Sequence, residues 1–568
     1  MARHSPSWPM IFAIQLASTI RQAAALKWEI CRVTIDNALG NKTLSLNDRT
    51  LFQPDASRKA PVLTLDGCYK YCGAERTWYP DVGPILNTWL IPVLILVSQM
   101  EVAASDKRTY LVILHLLGDP VDSIYSLLLK VEAWSRCSRL AEMEWDRIDR
   151  TRQKPKALGL RRQERSDHRR SQPRNWLLSI WQGIGGCLGS IGGYLARSKG
   201  DPAKTEFVSM FGTVLGGIEE IAPEGVDPIK VYRRLEHILP EVQARIPAIA
   251  RELANSRTDN IYRTCLAVAL YFWQVISAFI SKVGGTPSSP PGGRIAISMF
   301  LTYVLPPILL SNVVASFPSQ YTCYNVLQHH LPESDLLESI EASRPFKGSR
   351  EAYFESRPWS GGTYTFRPKK VLFAGGHDGD RSRWQLFVLA VCPVFVSTVT
   401  GLVIMWHLPP AGPGCRWFVL LGISCVYCFS FVFTWLTRGF GLRDRLHWQL
   451  THIKDSCIVV PALFLLFASS SGLFNTCWCW SGVWTRGRLG ARIQLNTDES
   501  FRPYLDKLYP VVFASCLALQ LCIFAAMLAI GRDGLGLMRW SRQRRAGLVM
   551  NPPDLGQRAI QQSNFQVE

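Results

Sequence analysis

The residues of this chain with the clearest capacity for chemistry are cysteines crowded into two short stretches. The first stretch carries Cys68 and Cys72, with Cys31 upstream, and the second carries Cys477 and Cys479. These spacings match no common zinc site and favour disulfides in an oxidising compartment. The expected bonds join Cys31 to the following pair, or that pair to the second stretch; bonds within a stretch are the alternatives.

Other patterns that could serve catalysis or metal binding lack the required geometry. His329 and His330 are adjacent on an expected loop, so their side chains should diverge, and His447 and His452 fall on different helical faces. The Gly-rich run 183–193 matches neither a dinucleotide-binding nor a P-loop pattern. No catalytic residue, cofactor or metal site is therefore predicted, and the chain is not expected to be an enzyme.

Seven apolar stretches must position these residues. Each offers about 20 mostly uncharged residues, the length of helix that crosses ~30 Å of hydrocarbon. They run Pro84–Ala103, Ile261–Ser281, Ile295–Phe317, Gln385–His407, Trp417–Thr437, Ser456–Thr476 and Tyr509–Gly531. The predicted fold is mainly α: a polytopic helical membrane protein with about seven transmembrane helices and long, partly disordered basic inner segments.

The centres of these stretches carry almost no ionisable residue, which argues against an intramembrane proton relay. The polar residues near mid-span are Gln274, Asn312 and Gln520, which are expected to form hydrogen bonds between helices.

The basic residues follow the predicted topology. The chain has 63 Lys and Arg against 44 Asp and Glu, a formal charge of +19. If residues 1–83 lie outside and the spans alternate, most Lys and Arg fall into the inner segments, as the positive-inside rule requires. Those segments are 104–260, 318–384, 438–455 and 532–568. The prediction is an amino end outside and a carboxyl end in the cytosol, in the plasma membrane or a secretory-pathway membrane.

The outer amino-terminal segment carries two processing signals. Asn41 begins a glycosylation sequon, and the first 25 residues resemble a cleavable signal peptide, with an uncleaved anchor or amphipathic helix as the alternative. The Gly-rich stretch 176–196 is expected to lie in or against the inner face of the bundle. If it spanned the membrane alone, the sidedness of everything after it would reverse.

The basic run 147–174 and the carboxyl-terminal tail are candidates for binding anionic lipid head groups, with a solvated linker as the alternative for the run. Nucleic acid is not an expected partner. The candidate lipid-binding residues are Arg161, Arg162, Arg165, Arg169, Arg170, Arg542, Arg544 and Arg545.

Two short motifs carry a resemblance. Residues 83–92 read GPILNTWLIP and residues 116–120 read LLGDP. The chain in this respect resembles a family of multi-pass membrane proteins of filamentous fungi with no assigned activity, which implies a membrane protein and no particular function. Seven spans with the amino end outside also match G-protein-coupled receptors, but the chain has no D-R-Y after the third span and no N-P-x-x-Y in the last.

These observations favour a non-enzymatic membrane receptor, sensor or scaffold. The alternative is a channel or transporter for a small solute that works without an intramembrane charge relay, and a membrane-embedded enzyme ranks third.

Overall fold

The computed structural model describes most of the helical parts of the chain. The described residues are 27–54, 56, 61–72, 90–91, 93–98, 109–153, 202–222, 226–256, 261–279, 291–315, 320–341, 383–407, 413–440, 444–471, 479–480, 483, 487–491, 493–494 and 502–538.

The described fold is mainly helical, with one two-stranded sheet. The helices are Lys27–Gly40 (α1), Leu65–Cys72 (α2), Thr109–Gly118 (α3), Pro120–Gln153 (α4), Pro202–Ile221 (α5), Pro228–Ile238 (α6), Val242–Asn255 (α7), Ile261–Phe279 (α8), Pro291–Phe300 (α9), Leu305–Ala315 (α10), Gln320–His330 (α11), Glu333–Glu341 (α12), Arg383–Trp406 (α13), Cys415–Gly439 (α14), Asp444–Ser471 (α15), Arg502–Ile530 (α16) and Arg532–Met538 (α17). The strands are Val62–Leu63 (β1) and Ile493–Gln494 (β2), and two 3₁₀ turns cover Leu301–Val304 and Arg488–Gly490.

Five described helical segments are long and apolar enough to cross a membrane, and these indicate an integral membrane protein. They are Ile295–Val314, Arg383–Trp406, Cys415–Thr437, Leu446–Ser469 and Lys507–Ile530. The predicted count of seven is not confirmed. The stretch 84–103 is described only at 90–91 and 93–98, and the apolar part of α8 covers only Thr264–Trp273.

Large apolar side chains on these spans point away from the protein. Phe395, Phe429 and Phe464 are 64%, 72% and 59% exposed. An apolar surface of this extent is unfavourable in water and favourable against lipid tails. The outward faces of α13, α14 and α15 therefore fit a hydrocarbon environment.

The segment Ile295–Val314 forms the centre of the bundle and is mostly buried. Its 3₁₀ turn precedes two consecutive prolines, which cannot donate backbone hydrogen bonds. Polar side chains tie the bundle together nearby: Thr302 Oγ1 lies 2.8 Å from Ser397 Oγ, and Gln520 Nε2 donates to Ser397 Oγ at 2.8 Å. Gln520 therefore forms the interhelical hydrogen bond that the sequence predicted for it. The same prediction is wrong for Asn312, whose buried side chain has no hydrogen-bond partner in the described part of the chain.

A helical unit packs at one end of the bundle. It consists of the second half of α4 with α5, α6, α7, α11, α12 and α17. Its core includes the fully buried Trp134, Phe211 and Leu253. Helices α6 and α7 of this unit are separated by a short break around Pro240.

A smaller unit, the disulfide unit, contains α1, β1, α2, β2 and the turn Arg488–Gly490. Strands β1 and β2 pair antiparallel, with Leu63 opposite Ile493. The side chain of Gln53 donates to the carbonyls of Leu489 and Ala491, at 3.1 and 2.6 Å. Segments more than 400 residues apart in the sequence thus form one small core.

Chain connectivity places the two units at opposite ends of α16. The helix begins eight residues after β2, in the disulfide unit, and α17 follows it directly in the helical unit. The end of α10 also lies close to the helical unit, because α11 begins five residues after α10 ends. Described helices from three of the segments predicted to be inner, 104–260, 318–384 and 532–568, contribute to the helical unit. In contrast, α3 and the first half of α4 pack in the bundle, and the described end of 438–455 forms the start of α15.

Candidate functional site

Five ionisable side chains meet in the interior where α3, α4 and α15 pack together. We call them the buried charge cluster: His115, Asp119, Asp122, Lys454 and Asp455. The imidazole and the three carboxylate side chains are inaccessible to solvent, and the lysine side chain is 9% exposed. Ionisable groups at such depth are unfavourable unless they are paired and hydrogen-bonded.

A sharp break between α3 and α4 creates the site. The two helices meet at 109° around Gly118, Asp119 and Pro120. Proline at the first position of α4 cannot continue α3, and Asp119 caps the new helix by accepting a hydrogen bond from the backbone N–H of Asp122 at 3.1 Å. A β-carbon on Gly118 would lie 3.0 Å from Asp455 Cα, so glycine lets α3 approach α15 closely.

His115 bridges two carboxylates. Its Nδ1 lies 2.8 Å from Asp455 Oδ2, and its Nε2 lies 3.2 Å from Asp122 Oδ2. Imidazolium can donate at both nitrogens, whereas neutral imidazole donates at only one. The two hydrogen bonds together therefore require a proton beyond the neutral ring, either on His115 or on one of the carboxyl groups.

Lys454 bridges the other side of the cluster. Its Nζ lies 2.7 Å from Asp119 Oδ2 and 3.0 Å from Asp455 Oδ1. It also donates to Ser430 Oγ at 2.8 Å and to Thr434 Oγ1 at 2.6 Å on α14. The hydroxyl of Thr434 donates onward to Asp119 Oδ2 at 2.7 Å, and that of Ser430 donates to the Gly118 carbonyl at 2.9 Å.

Within these five groups, acidic charge exceeds basic charge. Three carboxylates face one ammonium, so two negative charges remain unbalanced when His115 is neutral and one when it is protonated. An excess of negative charge in a site of low dielectric constant favours the uptake of a proton or a small cation. The cluster is thus suited to binding and releasing positive charge.

The cluster corrects the expectation that the spans lack central ionisable groups. The fourth of the five spans begins at Leu446, ten residues before the predicted start at Ser456, so Lys454 and Asp455 lie near its middle. The predicted start was too late because a hydropathy scale scores Lys454 and Asp455 as unfavourable inside a membrane. Such a scale takes no account of partners on other helices that compensate these charges. The Gly118–Pro120 break next to an apolar run was the available sequence signal.

A second group of ligand-type side chains lies in the helical unit. His329 and His330 occupy the end of α11 rather than the predicted loop, and their rings do not diverge: His330 Nε2 lies 2.6 Å and His329 Nδ1 3.3 Å from Glu252 Oε2 on α7. Burial acts to raise the pKa of Glu252, but the hydrogen bonds from His330 and His329 outweigh it and hold that pKa below its usual value.

The structure pairs four of the five predicted disulfide cysteines. Cys31 bonds to Cys72 and Cys68 bonds to Cys479, while Cys477 lies outside the described residues. Both bonds belong to the pairings that the sequence favoured. The second joins the two cysteine-bearing stretches across 411 residues.

The remaining predicted residues are placed only in part. Asn41 is exposed just after α1, where its sequon is accessible to solvent. The Gly-rich stretch 176–196 and all eight candidate lipid-binding arginines lie outside the described residues.

No protein-family model, curated protein or solved structure matches this chain.

Proposed function

We propose that this protein couples the movement of a small solute across the membrane to protons or small cations, with the buried charge cluster as the coupling site. One observation carries the proposal: ionisable groups lie at a helix break against the middle of a span. Transporters commonly place ion sites where a helix is discontinuous, because the freed helix ends and backbone groups help to hold charge.

The geometry supports a proton-dependent change of contacts. When the proton shared by His115, Asp122 and Asp455 leaves, one of the two imidazole–carboxylate bonds is lost and negative charge increases between α3 and α15. The weakened contact lies beside the break at Gly118–Pro120, where the backbone is already discontinuous. Proton binding and release would therefore favour different α3–α15 packings, as alternating access requires.

The proposal differs from both functions predicted from the sequence. These were a non-enzymatic receptor, sensor or scaffold, and a channel or transporter without an intramembrane charge relay. The charge cluster favours a transporter over a receptor, and a transporter that uses an intramembrane charge relay over one that does not. A sensor remains the second candidate because folded units lie at both ends of α16, an arrangement suited to transmitting a signal.

Proton flux in proteoliposomes tests the first candidate. The full chain is reconstituted with a pH-sensitive dye inside, and an amino acid, a sugar, a carboxylate or inorganic phosphate is added outside. We expect at least one solute class to change the internal pH, and we expect Asp455→Asn and His115→Gln to abolish or shift that response.

Two comparisons separate transport from mere stability. Asp146→Asn makes the same chemical change at a site 47% exposed and should leave the flux unchanged. Thr434→Val removes a hydroxyl that accepts a hydrogen bond from Lys454 and leaves every charge in place. It therefore tests the cluster if Asp455→Asn fails to fold. Absence of solute-dependent flux in well-folded protein, with a pH-dependent conformational signal retained, would favour the sensor.

The orientation is also part of the proposal. The disulfide unit would face the oxidising side, and the helical unit with the carboxyl end would face the cytosol, in the plasma membrane or a secretory-pathway membrane. A tag after Glu568 should be inaccessible in intact cells, and Asn41 should acquire a glycan. A tag that reacts without permeabilisation would contradict this orientation.

A further inference from the structure

The helical unit brings three metal-ligand side chains together from two helices. Glu252 lies on α7, and His329 and His330 end α11, so helices separated in sequence supply the three groups. One ligand atom from each side chain lies within 4.8 Å of the others. These residues have no part in the buried charge cluster.

The distances are close to those of a transition-metal site. Zinc sits about 2.0–2.1 Å from histidine nitrogen and about 2.0–2.2 Å from carboxylate oxygen, so tetrahedral ligand atoms lie roughly 3.3–3.5 Å apart. His329 Nδ1 lies 3.3 Å from Glu252 Oε2, and His330 Nε2 lies 2.6 Å from the same oxygen. A modest outward movement of the His330 ring would open the space for an ion.

The ligand side chains are accessible to solvent, and the helices that carry them are held in place by buried residues. The side chain of His329 is 73% exposed and that of Glu252 40%, so a metal can enter and water can occupy a fourth position. Directly beside the ligands, Leu253 and Leu327 are fully buried. Arg245 Nη1 donates to the carbonyl of His330 at 2.6 Å, which secures the end of α11.

The charge of the ligands also fits. A glutamate carboxylate is ionised at neutral pH and can bind a cation. One carboxylate and two imidazoles form a donor set that first-row divalent metals, and zinc in particular, bind readily.

We infer that Glu252, His329 and His330 form a Zn²⁺ site that fastens α7 to α11. Helix α11 follows the central span Ile295–Val314 after a short connection, and α7 precedes α8. Bound zinc would therefore stabilise the contact between the chain segments that enter and leave the central bundle.

Metal binding to the full-length protein tests this inference. The detergent-solubilised chain is purified through a tag without histidine, stripped with EDTA and titrated with ZnCl₂ against a chromophoric chelator. We expect His329→Gln/His330→Gln to bind one zinc equivalent fewer than the wild type. Glu252→Gln should weaken binding of that equivalent about tenfold or more.

A matched control comes from the neighbouring helix. His237 on α6 is exposed, and His237→Gln should keep the full zinc stoichiometry. Co²⁺ offers a second measurement, since its visible absorption reports the coordination geometry: a tetrahedral spectrum should appear in the wild type and in His237→Gln only. Binding should also weaken at acidic pH, because imidazole must be deprotonated to bind a metal.

Two results would overturn the inference. One is equal zinc stoichiometry and affinity in the wild type and the double histidine variant, with all variants folded by circular dichroism and gel filtration. The other is a wild-type protein that binds no zinc at micromolar concentrations. Glu252→Gln decides the matter if the double variant does not fold, because it keeps the size of the side chain and both histidines.

Discussion

The disulfide unit and the helical unit are stabilised by different interactions. The disulfide unit buries a small core, which includes Ile35, Phe52 and Leu63, and is closed by two disulfides. The helical unit belongs to a much larger continuous core, in which the buried Cys137 and Cys323 are not part of a disulfide. A small core cannot offset the conformational entropy of its chain by itself, so covalent links replace apolar area.

The difference also concerns the reach of each unit along the sequence. Residues 31–72 meet their partners, Cys479 and β2, because the intervening spans bring both segments to one side of the bundle. The helical unit instead combines packing with ion pairs, such as Arg136 Nη2 to Glu219 Oε1 at 2.7 Å. Reducing agents should therefore affect one unit and mutations of packing the other.

The largest expected effect is loss of the long-range disulfide. Cys68→Ser/Cys479→Ser should destabilise the disulfide unit by about 2–5 kcal/mol and expose residues 31–72 to protease. Limited proteolysis with mass spectrometry measures this, and Cys265→Ser, which removes an exposed free cysteine, is the control. Unchanged protease resistance would show that the small core is sufficient without the bond.

The two disulfides can be compared with each other. In a free chain, a bond spanning 411 residues would stabilise about 2 kcal/mol more than one spanning 41, because closing a longer loop removes more entropy from the unfolded state. The spans remain in the membrane when the disulfide unit unfolds, so the loop is never free. We therefore expect Cys31→Ser/Cys72→Ser to destabilise the disulfide unit as much as Cys68→Ser/Cys479→Ser does, to within about 2 kcal/mol.

A packing change in the helical unit should have the next largest effect. A β-carbon on Gly534 would lie 2.4 Å from the Val131 carbonyl oxygen and 2.8 Å from the Ser135 nitrogen, so Gly534→Ala must displace α17 from α4. We expect a loss of about 1–3 kcal/mol, measured by thermal unfolding.

Two residues further along α17, the same substitution should act in the opposite direction. Gly536 has no atom within 4 Å of an added β-carbon, and Gly536→Ala should stabilise by about 0.5–1 kcal/mol through helix propensity. If both alanine variants behave alike, the close contact between α17 and α4 is not what holds the helical unit together.

An ion pair between a buried carboxylate and half-exposed arginines should matter less than packing. Glu144 is 4% exposed and pairs with Arg147 and Arg233. Glu144→Gln keeps the shape and loses the charge, so we expect about 1–2 kcal/mol of destabilisation in chemical denaturation. Glu241→Gln, in an exposed pair with Arg245, should change stability by less than about 0.5 kcal/mol. Equal effects would mean that burial does not strengthen these pairs.

The smallest effect is expected from the exposed pair of Lys204 and Asp146, whose side chains are 40% and 47% exposed. Lys204→Ala should change stability by about 0–1 kcal/mol and less at high salt. The hydrogen bond that Lys204 donates to Asp146 raises the pKa of Lys204 above its usual value of 10.5. The contribution of the pair is therefore complete at neutral pH and is lost as the pH rises beyond that value. A larger effect near pH 7 would contradict this account.

Local patterns made several elements predictable. Apolar length located the five spans and cysteine crowding located the disulfide unit, and the Gly-Asp-Pro run was an available signal for the break between α3 and α4. Each of these signals resides in a short window of residues. The limits of α15 were less predictable. Its first half carries charged residues, and hydropathy alone assigns such a stretch to a loop because it does not include the partners on other helices.

The sequence by itself determined which segments are apolar, where helices must break and which cysteines can meet. The tertiary structure alone decided that His115 faces Asp455, that Lys454 faces Asp119, and that Glu252 meets His329 and His330. The reason is physical: helix breaks, membrane spans and turns follow from neighbours in sequence. The partner of a buried charge depends on which distant helix supplies the compensating atom.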